Sequence, residues 1–140
     1  MKKTNILFVC RYNRFRSRVA EAYFKKINKN KNIGVKSAGL IQGNPTGGKG
    51  DRIAKQKYGL NISGKTQGLS SKLLEWQNIT VVVADDVPAQ VFYKNKKYGK
   101  KVIVWKIKDI DWKKGRTPEK VIEEIIKKVD SLVKILERRK

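Results

Sequence analysis

The sequence predicts an α/β fold, in which four strands form a mainly parallel sheet flanked by helices. Three observations carry that expectation. Apolar runs of strand length recur along the chain, helical stripes separate them, and residues 79–84, ITVVVA, are continuously apolar and β-branched, as burial on both faces of a sheet requires.

Taken in order, residues 5–10 (NILFVC) read as a buried first strand, and a short connection leads to a helix over 17–27 with Val19, Ala20, Tyr23, Phe24 and Ile27 on its apolar side. A second strand is expected over 33–38, ended by Gly39, after which IQGNPTGGKG at 41–50 has the composition of an irregular surface loop. Residues 51–58 predict a short helix stopped by Gly59. The segment 60–68 has little periodicity, and Ser70 or Ser71 caps a short helix holding Leu73, Leu74 and Trp76. The third strand, 79–84, is followed by a helix from about Pro88 to Tyr98 that ends at Gly99, and the fourth strand covers 102–107. Thr117 as cap and Pro118 as first residue open a last helix, whose stripe runs through Val121, Ile122, Ile125, Ile126, Val129, Leu132, Val133 and Leu136. Strands alternating with helices predict right-handed crossovers within one layered unit.

A chain of 140 residues has the length of one domain, expected to span 1–140, and can bury a core without covalent staples. Cys10 is the only cysteine and histidine is absent. An intramolecular disulfide, a Cys/His zinc cluster and every catalytic arrangement built on imidazole are therefore excluded. Lys and Arg number 34 against 12 Asp and Glu, a formal charge of +22 that favours phosphorylated groups, nucleic acid or an acidic surface as partners. The excess is uneven, with +20 in residues 1–116 and +2 in 117–140. The apolar run at 6–10 is cut by Arg11, and 79–84 is far too short to cross a bilayer. A cytoplasmic protein without membrane insertion is the expectation, a setting in which a lone thiol stays reduced.

Chemistry becomes legible between the first strand and the first helix, in Cys10-Arg11-Tyr12-Asn13-Arg14-Phe15-Arg16-Ser17. Where a parallel strand ends and the next helix begins, unpaired N–H groups point outward and make an anion site. A thiolate at Cys10 would be stabilised by that helix end and by Arg16, making it a nucleophile near neutral pH. Arg16, six positions on, can reach back across a curled loop and hold two oxygens of a phosphoryl group with its planar guanidinium. A free cysteine alone is commonly a small buried hydrophobe. Cysteine, five residues, then Arg-Ser, set between an apolar strand and a helix, points instead to chemistry.

The stretch FVCRYNRFRSRVAEAYF resembles the low-molecular-weight protein tyrosine phosphatase family. Cys10, Asn13, Arg16 and Ser17 fit its loop pattern C-x-x-N-x-x-R-S, and Ala20-Glu21-Ala22 continues its first helix. The likeness extends through Ser37-Ala38-Gly39, the pair Asp85-Asp86 and an acidic segment after the fourth strand, and so covers essentially the whole chain. It implies a phosphate-binding loop after the first strand, with Cys10 as nucleophile and Arg16 binding the phosphoryl oxygens. The backbone N–H groups of Arg11, Tyr12, Asn13, Arg14, Phe15 and Arg16 would form the cradle. Asn13 would hold the loop's conformation, a role suited to a residue that tolerates left-handed φ and bonds to nearby backbone, and Ser17 would support the thiolate. The resemblance assigns the general acid to Asp109 in VIVWKIKDIDW, although the family's usual Asp-Pro is here Asp109-Ile110, and Asp111 is the local competitor.

The same resemblance implies phosphomonoester hydrolysis through a phosphocysteine intermediate, with a phosphotyrosyl protein or peptide as substrate and no metal or organic cofactor. Tyr12 and Trp112 would form the substrate rim, and the arginines around Cys10 would favour acidic sequence beside the phosphotyrosine. Phe15 stands where many family members carry a second cysteine, so their protective disulfide cannot form. The cysteine relay of family-like arsenate reductases is excluded by the same count. A different reading remains open at this point: a non-catalytic phosphate, polyphosphate or nucleic-acid binding protein, motivated by the charge before residue 117 and by Tyr12, Phe15 and Trp112 near the loop. Under the enzyme reading, that charge would give only weak, nonspecific polyanion association.

Overall fold

The architecture follows from one strand that is apolar on both faces. In β1 (Thr4–Cys10) the last five residues are buried. Ile6 and Phe8 join one hydrophobic cluster, while Leu7, Val9 and Cys10 join another, so the strand must lie inside a sheet covered on both sides. That arrangement is present in the computed structural model, which describes residues 3–93, 95 and 100–138. The sheet order is β2-β1-β3-β4, with β2 at Ile33–Gly39, β3 at Ile79–Val83 and β4 at Lys101–Trp105. All neighbouring pairs are parallel, and the register sets Cys10 beside Gly39 and Val9 beside Val82.

One face is covered by α1 (Arg16–Ile27), α2 (Lys49–Tyr58) and α4 (Pro118–Glu137), whose Phe24, Ala54, Val121 and Ile125 pack with Phe8 and Val81. The other face carries α3 (Ser71–Trp76) and a 3-10 turn at Ala89–Phe92, which contribute Leu73 and Phe92. Cap chemistry sets the ends. Ser70, rather than Ser71, accepts the Leu73 N–H at 3.2 Å, and Thr117 accepts the Lys120 N–H at 3.3 Å with Pro118 behind it. Gly59 closes α2 at φ 66°, a left-handed conformation that glycine adopts without penalty.

Several expectations shift, and β1 and β2 each gain one residue while β3 ends one residue early. The first helix begins at Arg16 and α2 at Lys49, each ahead of its expected start. The fourth strand starts at Lys101 and stops at Trp105, because the Ile107 N–H turns back to the Trp105 carbonyl at 2.8 Å and the chain leaves the sheet. The helix expected from Pro88 to Tyr98 begins as the 3-10 turn, and residues 94 and 96–99 of that expectation lie outside the described residues. No described helix is long and apolar enough to cross a membrane.

Two phenols tie α4 to its neighbours. Tyr23 donates to Asp130 Oδ1 at 2.7 Å and Tyr58 to Glu123 Oε2 at 2.9 Å. Desolvation first, then the carboxylate acceptors, push both phenols up to about 12 from the usual 10. The folded chain thus holds these protons more tightly than the unfolded chain. The stability they add is complete below pH 10 and is lost as pH rises through about 12. Phenolate absorbance should therefore show a late titrating component, and Tyr23→Phe combined with Tyr58→Phe should remove it and flatten the alkaline fall in denaturant stability.

Candidate active site

Strand order locates the site. From β1 the chain goes first to β2 on one side and later to β3 on the other, so the carboxyl ends of β1 and β3 flank the crevice where α/β sheets bind ligands. Cys10 ends β1, while Ala84, Asp85 and Asp86 follow β3. Facing them is the start of α1, where the cap residue Phe15 gives no side-chain hydrogen bond and the first turn holds no acid. The amino end of that helix is left for an anion.

Asn13 shapes the intervening loop. It is the one non-glycine residue with positive φ among the described residues, at 56°, and it is buried. Its Oδ1 accepts the Gln67 N–H at 3.0 Å, and its Nδ2 donates to Ser17 Oγ at 2.9 Å and to Ser37 Oγ at 3.0 Å. Ser37 in turn donates to Glu21 Oε1 at 2.5 Å, and Lys25 holds the other oxygen of Glu21 at 2.7 Å. This chain has a direction. Glu21 can only accept and Asn13 Nδ2 can only donate, so both serine oxygens accept from Asn13 and Ser37 passes its proton to Glu21. Ser17 Oγ lies 3.0 Å from Cys10 Sγ, a hydrogen bond that Ser17 donates when Cys10 is a thiolate.

The segment after β2 grips the loop's carbonyls. Leu40, Ile41 and Gly43 donate their N–H groups to the carbonyls of Cys10, Arg11 and Tyr12 at 2.8, 3.0 and 3.1 Å. Close approach makes Gly39 obligatory, since a Cβ there would sit 2.6 Å from the Tyr12 carbonyl carbon and 2.7 Å from the Asn13 nitrogen.

Arg16 is 2% exposed, and a guanidinium that deep needs compensation. Its Nη2 lies 3.0 Å from Asp86 Oδ1 and 3.7 Å from Asp109 Oδ2, and its Nη1 lies 3.5 Å from Asp85 Oδ1. The Ile107 carbonyl accepts from Nη1 at 2.9 Å. Cys10, Arg16 and Asp109 line one open cleft of about 430 Å³, together with Tyr12, Arg14, Phe15, Trp112 and, at the approach to α2, Thr46, Gly48, Gly50 and Asp51. Asp111 does not line it; its backbone is occupied in a bridge with Arg116.

A family model described as low molecular weight phosphotyrosine protein phosphatase matches residues 5–140. The chain belongs to that family. It is therefore an active-site-cysteine enzyme of the phosphatase fold. No curated protein matches it in sequence. Among solved structures it is similar to a low molecular weight protein tyrosine phosphatase from T. tengcongensis, with 23% identity and a TM-score of 0.77, covering 94% of this chain and 99% of that one. It is similar to the YwlE arginine phosphatase from Geobacillus stearothermophilus at 20% identity and TM-score 0.77, covering 97% and 94%. It is also similar to a thioredoxin-dependent arsenate reductase from Corynebacterium glutamicum at 22% identity and TM-score 0.75, covering 99% of this chain but only 64% of that one.

Within this phosphatase-family site, several residues carry more than the sequence assigned to them. Asp85 and Asp86 are the counter-charges of Arg16, and Ser37, Glu21 and Gln67 hold Asn13. The loop at 41–50 lines the cleft as well as the surface. Tyr12 and Trp112 are exposed at the cleft, whereas Phe15 is in the main hydrophobic cluster, 8% exposed, and packs beside Gly50. Phe15 therefore borders the cleft from its core side. Arg11 donates to Tyr12 Oη at 3.1 Å and to the Asp86 carbonyl at 3.2 Å, and the Tyr12 bond raises its pKa further above the ordinary value. Gly39→Ala should overpack the junction at a cost of about 1–3 kcal/mol, read from the denaturant midpoint, and should weaken binding of inorganic phosphate measured by calorimetry.

Proposed function

We propose that this chain hydrolyses phosphomonoesters through Cys10, with phosphotyrosyl proteins or peptides as its substrates. One observation carries the reading: Ser17 Oγ, which accepts from Asn13 Nδ2, lies 3.0 Å from Cys10 Sγ and can donate to its thiolate, in a cleft that Cys10, Arg16 and Asp109 line.

The steps are set by the groups present. The Cys10 thiolate attacks phosphorus, an S–P bond forms, and the bond to the departing tyrosyl oxygen breaks. Arg16 exchanges its carboxylate contacts for two phosphoryl oxygens, and the N–H groups of residues 11–16 take the remaining oxygens at the start of α1. A protonated Asp109 gives its proton to the departing oxygen. Its carboxylate then takes a proton from water attacking the phosphocysteine, which frees inorganic phosphate and restores the thiolate. None of these steps calls for a metal or an organic cofactor. Tyr12 and Trp112 flank the aryl group, which favours a phosphorylated tyrosine over an aliphatic ester.

Rapid quenching followed by intact-protein mass spectrometry should find a phosphoryl group on wild type, while Cys10→Ser should lose turnover and keep oxyanion binding. Undiminished turnover by that variant would remove Cys10 from the role. Peptides carrying phosphotyrosine and phosphoarginine, assayed side by side, decide the substrate: preferential hydrolysis of phosphoarginine would replace phosphotyrosine. Nucleic-acid binding that survives Arg16→Ala, with no hydrolysis of either peptide, would favour a non-catalytic binder.

Asp109→Asn should slow phosphotyrosyl hydrolysis about 100-fold, the lower end of general acid effects, and slow an aryl phosphate with an acidic leaving group much less. Asp111→Asn should leave both rates near wild type. A selective loss in Asp111→Asn instead would transfer the role.

A further inference from the structure

The loop region holds four arginines, and the structure separates them by what they touch. Arg11 is engaged by Tyr12 and the Asp86 carbonyl, Arg16 by Asp85, Asp86 and the Ile107 carbonyl, and Arg18 by the carbonyls of Ile62 and Lys65 at 2.5 and 2.9 Å. Arg14 differs. It lines the cleft with an exposed side chain and makes no hydrogen bond or ion pair with the described residues. Its stem lies along Gly43, where a Cβ would meet Arg14 Cγ at 3.0 Å, so the near part of the side chain is packed and the guanidinium is left open.

A second cation stands beside the cleft, against the ring of one of its lining residues. Lys49, the first residue of α2, holds its ammonium 4.9 Å from the ring centre of Trp112, which lines the cleft and is 55% exposed. A cation over an exposed indole is held in place without being neutralised. Glu119, whose carboxyl feels Lys49, is already hydrogen-bonded to Lys57 at 2.7 Å. The acids lining the cleft are also engaged: Asp51 is buried and accepts from Ser63, and Asp109 accepts the Ile110 N–H with one oxygen and faces Arg16 with the other.

We infer that Arg14 and Lys49 read an acidic side chain next to the phosphotyrosine, so the substrate class is a phosphotyrosyl peptide with Asp or Glu beside the phosphorylated residue. This rests on the phosphotyrosine reading above. The open fork of Arg14 matches a carboxylate, and the pre-placed ammonium of Lys49 gives the second charge at an aromatic wall. Neither cation has a carboxylate of its own to surrender when the peptide arrives. The selectivity is local, distinct from the attraction that a charge of +22 exerts on any anion.

The test uses three peptides of equal length with Glu, Ala or Lys on both sides of phosphotyrosine, at physiological salt. Wild type should favour Glu flanks over Lys flanks by about tenfold in kcat/KM, mostly through KM, as two exposed charge contacts permit. The double variant Arg14→Glu, Lys49→Glu should abolish or invert that ratio. Lys49→Glu alone, at an exposed position, should carry part of the shift, so the result does not depend on the loop tolerating a change at Arg14. Lys127→Glu, on the exposed side of α4 and outside the cleft lining, alters net charge as much as Lys49→Glu does and should keep the wild-type ratio. Equal kcat/KM on all three peptides overturns the inference while leaving phosphotyrosine hydrolysis standing. A Lys127→Glu shift as large as that of Lys49→Glu also overturns it, assigning the preference to the general field. No hydrolysis of any peptide by wild type overturns both readings together.

Discussion

The left-handed backbone at Asn13 is the constraint on which the site depends. A non-glycine residue at φ 56° reverses the chain between β1 and α1, and the conformation is kept by the side chain that adopts it. Asn13 bonds to Ser17 in the helix, Ser37 in β2 and the backbone of Gln67 beyond α2. Glu21 and Lys25 extend the set to the outer side of α1. Because a carboxylate can only accept, the Ser37 proton is directed to Glu21, and both serines accept from the Asn13 amide, which leaves Ser17 Oγ 3.0 Å from the sulfur of Cys10. Loop shape and the placing of a hydroxyl beside the sulfur are two results of one amide side chain.

Charge compensation governs the other half of the site. Burying Arg16 without partners would leave an uncompensated cation, among the most costly defects a fold can carry. The topology supplies the partners, because the strand order that opens a crevice between β1 and β3 also brings Asp85 and Asp86 to the place where α1 begins. The Ile107 carbonyl and Asp109 arrive where the chain leaves β4. The end of β4 at Trp105, two residues ahead of the sequence expectation, is thus tied to the site: a strand continued through Ile107 would hold that carbonyl in a sheet ladder.

The four strands, the apolar stripe of α4, the Thr117-Pro118 cap and the loop from Cys10 to Ser17 were legible in the sequence, because each depends on periodicity or on chemistry within a few neighbouring residues. Strand order was not, and with it the partners of Arg16, since nothing local in Asp85-Asp86 says which cation it will meet. Phe15 is instructive for the same reason. Its place in the loop suggested an aromatic near the rim, and it does border the cleft, but most of its side chain is turned into the core, which local sequence does not reveal. The contrast between Asp109 and Asp111 also needed coordinates, because residues two apart separate only when one of them is fixed by a turn, as the bridge to Arg116 fixes Asp111.

The distances in sequence spanned by Arg16 have a consequence for the order in which the chain is made. The nucleophile and its cradle lie within the first 17 residues, yet Arg16 draws its partners from positions 85, 86, 107 and 109. On a ribosome the reactive loop is therefore synthesised first and completed last, with roughly ninety further residues added before its guanidinium can be buried with compensation. Until then Arg16 gains more from water than from the interior. The emerging chain exposes a cysteine whose neighbouring guanidinium has no carboxylates to hold it in place, and the site is assembled only when the last strand has joined the sheet.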